Sequence, residues 1–313
     1  MTLPPVLVLA GPTASGKSAL ALALAQAEDG VVINADSMQV YDALPILTAQ
    51  PPEAAREAVP HRLYGCLDPA RPCSAAQWVE LARAEIEAAW HGGRLPIVVG
   101  GTGLYLESLR QGLSPIPEIP AAIRDEARAR LAEIGNEAFH DELARRDPVM
   151  AARLPPGDSQ RMARAWEVLA ATGRSLAEWQ TVPRQGGLAA RWLTLALLPP
   201  REALRAACDG RFAAMVAAGA VEEAEAFLAR GLDPAVPAMK VLGLRELGAA
   251  ARGELALAEA VAAAQAATRA YAKRQVTWLR HRGGADTVID AQLSESLLAP
   301  IFAKIRQFRL TPV

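Results

Sequence analysis

Short apolar runs alternate with longer helix-like segments along most of the chain. The runs at residues 6–10, 31–35 and 95–99 are each bounded by proline, glycine or polar residues, which is typical of buried strands. Runs of the same character return at 191–198 and 285–289. We therefore expect an α/β fold in which these runs form an open parallel sheet.

Helical spacing of apolar residues fills the intervals between these runs. Ser74 is a plausible N-cap for a helix over 74–90. Other segments with helical character lie at 19–26, 201–218, 221–230 and 255–282, the last of which we expect to be the final long helix. Two segments are less regular. Residues 44–60 suggest a surface loop with a short helix, and residues 61–67 suggest a third strand.

The composition changes sharply after Leu113. Residues 114–120 read Ser-Pro-Ile-Pro-Glu-Ile-Pro, and prolines at this density continue neither a helix nor a central strand. From there to about residue 180 every segment is helical in character. The pattern breaks near Gly135, at Asp147-Pro148 and over 155–157. A Gln-Gly-Gly linker at 185–187 then leads back to the sheet, so these helices form an insertion.

Bulk composition narrows the possible classes of protein. The chain has 313 residues, of which 51% are hydrophobic and 21% charged, as in a globular protein. A net charge of −1 gives no global basic field, so any nucleic-acid surface is a local patch. The 3 cysteines show no CxxC spacing, which favours a reducing cytoplasm and no zinc site. No apolar run approaches the roughly 18 residues of a membrane span.

A phosphate-binding loop follows the first strand directly. Its residues are Gly11, Pro12, Thr13, Ala14, Ser15, Gly16, Lys17 and Ser18, and they fit the pattern Gly, four residues, Gly-Lys-Ser. Glycines let several backbone N–H groups point at an oxyanion, and the start of the following helix adds partial positive charge. Lys17 supplies a full charge, and Ser18 can hold Mg²⁺. The loop predicts a bound polyphosphate without specifying ATP.

Two further turns follow predicted strands at the same edge of the sheet. Asp36 follows the second strand, and three interpretations remain open for it: a carboxylate linked to Mg²⁺, a general base for the acceptor substrate, or a helix N-cap. Gly100 and Gly101 precede Thr102 after the strand at 95–99. They indicate either backbone that lies close to a ligand or a plain turn from strand to helix.

Basic residues cluster at two places. Arg161 and Arg164 share one helical face, which is either a binding face or a solvated one. The end of the helix at 255–282 carries a stripe of Arg269, Lys273 and Arg280 with Tyr271 and Trp278 interleaved. This stripe indicates either contact with RNA phosphates or cations placed at a helix C-terminus.

Taken together, these motifs resemble the tRNA dimethylallyltransferases over nearly the whole chain. The motifs are Gly-Pro-Thr-Ala-Ser-Gly-Lys-Ser at 11–18, Asn-Ala-Asp-Ser-Met-Gln at 34–39, Pro60-His61 with Asp68-Pro69, Val-Val-Gly-Gly-Thr-Gly-Leu-Tyr-Leu at 98–106, Asp158 to Arg164, and Ala-Thr-Arg-Ala-Tyr-Ala-Lys-Arg-Gln-Val-Thr-Trp-Leu-Arg at 267–280. Two stretches depart from the family. Leu47 and Gln50 replace a glycine and a lysine, and Leu244 replaces a tyrosine, so any contacts made by those family residues are not carried over.

The resemblance implies a fold and a reaction. It implies a nucleotide-kinase-like core of residues 1–113 and 191–313, with a helical insertion at 114–190 that clamps a tRNA anticodon stem-loop. The enzyme would transfer a dimethylallyl group from dimethylallyl diphosphate to the exocyclic amine of the adenosine 3′ of the anticodon. Residues 11–18 would then hold the diphosphate rather than ATP. The family pattern places Asp36, Lys17, Thr102 and Arg211 in catalysis, with Mg²⁺ as cofactor at Ser18.

The same resemblance implies an RNA-binding set. Its members are Asp36, Ser37, Met38, Gln39, Thr102, Arg124, Gln160, Arg161, Met162, Ala163 and Arg164, to which the stripe adds Arg269, Lys273 and Arg280. We expect a cytoplasmic monomer without a membrane segment. Three alternatives are weaker. A small-molecule kinase does not need the basic helix, an adenylate isopentenyltransferase does not need the long insertion, and a non-catalytic RNA-binding module leaves the phosphate-binding loop unexplained.

Overall fold

A parallel sheet forms the centre of the computed structural model, which describes residues 3–311. Within this part of the chain the sheet has six strands: β1 (Pro5–Ala10), β2 (Gly30–Asn34), β3 (His61–Arg62), β4 (Leu95–Gly100), β5 (Arg191–Leu197) and β6 (Thr287–Ile289). Their spatial order is β3-β2-β4-β1-β5-β6, and every neighbouring pair is parallel. The predicted α/β class with a parallel sheet is confirmed.

The side chains of β1 show why the sheet needs helices on both faces. Val6 and Val8 belong to one hydrophobic cluster, whereas Leu7 and Leu9 belong to another. Successive side chains of a strand point to opposite faces, so an unbroken apolar run is buried on both. The helices that accompany the sheet are α1 (Lys17–Ala27), α2 (Glu53–Ala58), α3 (Ala75–His91), α4 (Gly103–Gln111), α9 (Arg201–Ala217), α10 (Ala220–Leu228), α11 (Leu244–Ala251), α12 (Leu257–Arg282) and α13 (Glu295–Leu310), with a 3₁₀ turn at Pro237–Lys240.

Contacts along the chain define two compact units. One contains the residues up to Arg110 and those from Leu188 onward, and the other is Gln111–Gly187, whereas the sequence placed the boundaries at 113/114 and 190/191. The helices of the second unit are α5 (Ala121–Arg146), α6 (Pro148–Ala151), α7 (Ser159–Thr172) and α8 (Leu176–Trp179). This unit has its own core, in which Phe139, Leu143 and Met162 are fully buried. Gly135 interrupts α5 at φ 76°, as its position in the sequence suggested.

Register places the functional turns at one edge. Ala10 of β1 pairs with Gly100 of β4 on one side and with Ala196 of β5 on the other. Asn34 of β2 pairs with Val99. The turns that follow β1, β2 and β4 therefore begin at the same height, at the carboxyl edge where open parallel sheets bind ligands.

Two sequence predictions about elements need correction. The third strand expected over 61–67 is present but pairs with the sheet only at His61–Arg62, because Leu63 and Gly65 adopt left-handed backbone conformations (φ 63° and 56°) that turn the chain away; Leu67 forms an isolated bridge with Tyr41 instead. The helix ending at Arg282 is not the last long one, since α13 follows β6.

Helix α13 is fastened to the core through a buried carboxylate. Glu28, which is 7% exposed, pairs with Arg306 and Arg309 of α13 at 2.9 Å each. Ile301 and Ile305 pack into the cluster beneath the sheet. None of the helices within residues 3–311 has both the length and the apolar character required to cross a membrane.

Candidate active site

Three turns at the carboxyl edge are hydrogen-bonded to one another. The Gly11 N–H donates to the Gly100 carbonyl at 3.4 Å, and the Ala35 N–H donates to the Val99 carbonyl at 2.8 Å. The Thr102 N–H in turn donates to the Ala35 carbonyl at 3.2 Å. The loop after β1, the turn after β2 and the turn after β4 therefore form one connected surface, as the sequence predicted.

The phosphate-binding loop has the shape that an anion requires. Gly16 adopts a left-handed conformation (φ 88°) and acts as the N-cap of α1, which begins at Lys17. The first turn of α1 contains no acidic residue, so its positive end faces the loop without a neutralising carboxylate. The buried Ser15 hydroxyl has no hydrogen-bond partner among the described residues. A buried polar atom without a protein partner is costly, so this hydroxyl is suited to bind a ligand in the loop.

Lys17 is held inside the loop. Its Nζ donates to the Pro12 carbonyl at 3.2 Å. The pKa of the Lys17 ammonium is lowered to about 8, chiefly by burial and also by the neighbouring Arg211, while the carboxylate of Asp36 acts in the opposite direction. An anion bound in the loop would restore the charged form. The cluster is therefore poised for a ligand that carries negative charge.

Arg211 reaches the loop from α9. Its Nη2 donates to the hydroxyl Oγ1 of Thr13. Burial lowers the pKa of the Arg211 guanidinium, although the neighbouring Asp36 raises it. The structure therefore brings together Lys17, Asp36 and Arg211, which lie far apart in sequence.

Asp36 lies in a turn that Asn34 shapes. The buried Asn34 side chain accepts from the Asp36 N–H at 2.8 Å and donates to the Asp36 carbonyl at 3.0 Å. One carboxylate oxygen of Asp36 accepts from the Met38 N–H at 2.9 Å. These contacts hold the turn in shape and leave one carboxylate oxygen of Asp36 engaged by the backbone.

Thr102 is joined to the turn that carries Asp36. Its Oγ1 accepts from the Ser37 N–H at 3.0 Å. The neighbouring glycines are needed by protein packing, because a Cβ at Gly100 would lie 2.1 Å from the Ala35 carbonyl and a Cβ at Gly103 would lie 2.3 Å from the Trp278 ring. Gly100 and Gly101 could have marked either backbone close to a ligand or a turn from strand to helix. The structure supports the turn, which packs closely against its neighbours.

Two residues of α12 that carry no role in the sequence motifs, Tyr271 and Gln275, also reach this site. Gln275 is buried, and its Oε1 accepts from the Thr13 N–H at 2.8 Å while its Nε2 donates to the Gly101 carbonyl at 3.1 Å. Tyr271 lies close to the Thr102 side chain and to Asp36, and burial raises the pKa of its hydroxyl. The sequence did contain a sign of this role for Gln275. It is a polar residue on the apolar stripe of α12, buried between Ala272 and Leu279.

Gln39 and Gln50, near the Asp36 turn, have structural partners. The Nε2 of Gln39 donates to the carbonyls of Thr48 and Ala49, at 2.8 and 2.9 Å. Gln50 donates to the Tyr41 carbonyl, and Leu47 is buried in the core. The side chains at 47 and 50, where the chain departs from the family pattern, therefore support the loop itself.

The residues predicted to bind RNA from the helical unit differ in exposure. Arg124, Gln160 and Arg161 are exposed, whereas Arg164 is partly buried and pairs with Glu167 at 3.3 Å. Met162 is fully buried and Ala163 is 8% exposed. The side chains of Met162 and Ala163 are therefore buried within this unit and are not presented to RNA.

The basic stripe of α12 is divided. Arg269 is partly buried and forms an ion pair with Asp209 of α9. Lys273 and Arg280 are exposed. Two of the three cations therefore face solvent, and the third links two helices.

Comparisons with known proteins agree with this geometry. A family model described as IPP transferase matches residues 39–282. The curated tRNA dimethylallyltransferase of Paramagnetospirillum magneticum is 59% identical over 307 residues, which cover 98% of each chain. The protein of the same name from Rhodospirillum centenum is 57% identical over 281 residues, or 89% of each chain.

Two solved structures resemble the whole chain. The tRNA isopentenylpyrophosphate transferase of Bacillus halodurans has a TM-score of 0.68 and 30% identity, covering 97% of this chain and 96% of its own. A eukaryotic dimethylallyltransferase acting on tRNA has a TM-score of 0.79 and 28% identity, covering 97% of this chain and 77% of its own. The family match and the high identity to curated relatives over nearly the full length lead to one conclusion: this chain belongs to the IPP transferase family, whose curated members are tRNA dimethylallyltransferases.

Proposed function

We propose that this chain transfers a dimethylallyl group from dimethylallyl diphosphate to the exocyclic amine of the adenosine 3′ of a tRNA anticodon and releases diphosphate. The observation that carries the proposal is the meeting of an anion-binding loop with Asp36 and Thr102 at one edge of the sheet. The names of the close relatives support the same reaction. One crevice would hold donor and acceptor together, which supplies much of the rate enhancement for a reaction between two substrates.

The donor half of the site is cationic. We assign the diphosphate to residues 11–18, with Lys17 and Arg211 beside it and the Ser15 hydroxyl turned inward. Negative charge grows on the diphosphate as the carbon–oxygen bond breaks. Fixed N–H groups and cations stabilise that charge more strongly in a water-poor site than they would in solution.

The acceptor half contains Asp36 and Thr102. The exocyclic amine of adenine is a poor nucleophile, because its lone pair is delocalised into the ring. We propose that the Asp36 carboxylate takes a proton from this amine as the new carbon–nitrogen bond forms. Thr102, joined to Ser37 at 3.0 Å, would hold the base in register with that carboxylate.

Mg²⁺ fits the donor half of the site. Ser18, exposed in the first turn of α1, offers a hydroxyl oxygen. The described residues contain no group of three or more His, Cys, Asp or Glu side chains that could hold a metal ion alone. Mg²⁺ usually retains waters and binds substrate phosphates together with one or two protein oxygens, and this donor set suits that mode. When bound, Mg²⁺ would neutralise charge on the diphosphate.

Contacts to tRNA are proposed for two exposed groups of residues. In the helical unit they are Arg124, Gln160 and Arg161, with Arg164 beside them. On α12 they are Lys273 and Arg280. We further propose that the insertion at 114–190 grips the anticodon stem-loop, that the enzyme is a monomer, and that it works in the cytoplasm, where its free cysteines Cys66, Cys73 and Cys208 stay reduced.

The test uses dimethylallyl diphosphate labelled in the prenyl group and unmodified tRNA, without ATP. We expect label on the tRNA, at the adenosine 3′ of the anticodon. A matched tRNA with guanosine at that position should stay unlabelled. Two parallel reactions test the alternatives. If AMP replaces the tRNA and takes the label while tRNA does not, the chain is an adenylate isopentenyltransferase. If ATP is supplied in place of dimethylallyl diphosphate and its phosphate is transferred, the chain is a kinase.

A further inference from the structure

We propose that Gln275 is a positioning residue that sets the shape of the phosphate-binding loop and ties it to the turn carrying Thr102. The inference rests on the proposed function only in taking diphosphate as the anion that the loop binds. Gln275 lies 262 residues from Thr13 along the chain, yet its side-chain amide joins that residue to Gly101.

The orientation of the amide is fixed by its two partners. The Thr13 N–H can only donate, so the oxygen of Gln275 faces it at 2.8 Å. The Gly101 carbonyl can only accept, so the amino group faces it at 3.1 Å. A Cβ at position 101 would lie 2.2 Å from that amino group, so glycine is what lets the amide reach the carbonyl.

This bridge decides which loop amides are available to the anion. The Thr13 N–H is taken by Gln275, and the Ser15 N–H donates to the Pro12 carbonyl at 3.3 Å. Within residues 3–311, no protein acceptor takes the N–H groups of Ala14 and Gly16 in the loop or those of Lys17 and Ser18 at the start of α1. The bridge therefore turns Thr13 away from the ligand and leaves the later N–H groups to converge on it.

Thr13 has further partners on the protein side. Its hydroxyl accepts from Arg211, and its carbonyl lies 4.0 Å from the Cys208 sulfur. Thr13 thus connects the loop to both α9 and α12. Within the segment 11–18 that we assign to the diphosphate, its N–H anchors the loop, and the N–H groups of other loop residues are left for the ligand. Loss of the Gln275 bridge would let Thr13 move and would shift Arg211 with it.

Burial makes the bridge costly to break. Gln275 is 5% exposed, and a buried amide that loses its partners keeps its desolvation penalty. The substitution Gln275→Met preserves length and volume while removing both hydrogen bonds. Helix α12 also offers a matched control in Gln265, which is partly buried and donates to the Asp209 carbonyl at 3.1 Å, away from the loop.

The experiment compares Gln275→Met with Gln265→Met in the full chain. Calorimetry measures the affinity for inorganic diphosphate with Mg²⁺, and steady-state kinetics measures KM for dimethylallyl diphosphate and kcat with saturating tRNA. Hydrogen exchange of the peptide covering residues 11–18 reports the loop itself. We expect Gln275→Met to weaken diphosphate binding and to lower kcat by tenfold or more each, with faster exchange in the loop. Gln265→Met should stay within twofold of wild type.

The inference is overturned if folded Gln275→Met binds diphosphate and turns over within threefold of wild type, or if the wild-type chain does not bind diphosphate. Should Gln275→Met fail to fold, Gln275→Asn replaces it in the test. Asn keeps the amide but is one methylene too short to reach both partners, so binding and turnover within threefold of wild type would again overturn the inference. A wild-type chain that binds diphosphate but labels no tRNA would refute the proposed function and leave the loop result intact. Unchanged tRNA affinity in Gln275→Met would separate a local effect on the loop from general damage, and a matching loss of tRNA affinity would count against the inference.

Discussion

Lys17 shows at the scale of one residue how burial and charge oppose each other. Burial brings the pKa of its ammonium from 10.5 to about 8, so the free protein gives up this proton well below the pH at which the unfolded chain does. Between these two values the unfolded chain binds more protons, and this group therefore makes the free energy of unfolding rise with pH. Binding of an anion raises the pKa of Lys17 again, because diphosphate favours the charged ammonium.

We therefore predict that affinity for diphosphate falls above about pH 8. The loss should approach about tenfold per pH unit, since each binding event must then take up one proton. Calorimetric titrations at pH 7, 8, 9 and 9.5 would measure it. Lys17→Met should bind weakly at every pH and lack this dependence, and a wild-type affinity that stays flat to pH 9.5 would contradict the assignment of Lys17.

Asp36 allows a sharper test, because its two candidate roles respond differently to the same substitution. In Asp36→Asn the amide oxygen can still accept from the Met38 N–H, so the turn should keep its shape. We predict that turnover falls by about 10² or more, because the amide takes no proton. Affinities for dimethylallyl diphosphate and Mg²⁺ should remain near wild type. Recovery of the rate at high Mg²⁺ would assign Asp36 to the metal instead.

At the scale of elements, α12 combines two tasks on different sides. Gln275 and Tyr271 face the site, Arg269 joins α9, and Lys273 and Arg280 face solvent. The double substitution of Lys273 and Arg280 by Gln should flatten the dependence of log K on log salt for tRNA by roughly 1.5 to 2 units. Arg269→Gln, the matched control, should leave that slope unchanged. An unaltered slope in the double variant would show that Lys273 and Arg280 do not contact RNA phosphates and serve only as cations near the helix C-terminus.

Helix α13 leads to a prediction about stability. Glu28→Gln keeps the shape of a buried side chain that two arginines of α13 contact at 2.9 Å, but it removes the charge. We expect the free energy of unfolding in urea to fall by about 1 to 2 kcal/mol, as for loss of charge-assisted hydrogen bonds. Glu254→Gln, in a surface pair with Arg252, should cause no measurable change. Equal stability of both variants would show that Glu28 does not fasten α13.

The elements also show how far sequence reasoning reaches. The phosphate-binding loop and its strand were predictable, since their signal is local: an apolar run, glycines at set positions and a helix start. Helix α13 was missed because Pro300 interrupts its pattern, although Leu297, Ile301 and Ile305 repeat every four residues. The Gln275 bridge joins residues 262 positions apart, so only the tertiary fold reveals it.

At the scale of the whole molecule, the helical unit begins and ends at one point. Leu113 and Gln185 exchange two backbone hydrogen bonds of 2.9 Å, so the ends of the insertion lie side by side. Residues 114–184 can therefore be replaced by a short Gly-Ser turn without stretching the chain. We predict that this deletion keeps affinity for inorganic diphosphate within about threefold, because residues 11–18 lie in the other unit, and abolishes tight tRNA binding. Retained tRNA affinity would show that the insertion does not grip the anticodon stem-loop.

The distance in sequence between Thr13 and Gln275 has a consequence for synthesis on the ribosome. The loop is among the first segments to emerge, and β4 completes one side of β1 once residue 100 is out. The other side of β1 waits for β5, and the amide that fixes Thr13 arrives only with residue 275. For most of translation the nascent chain thus carries the loop's sequence without its final shape, and the anion site matures among the last parts of the protein to be made.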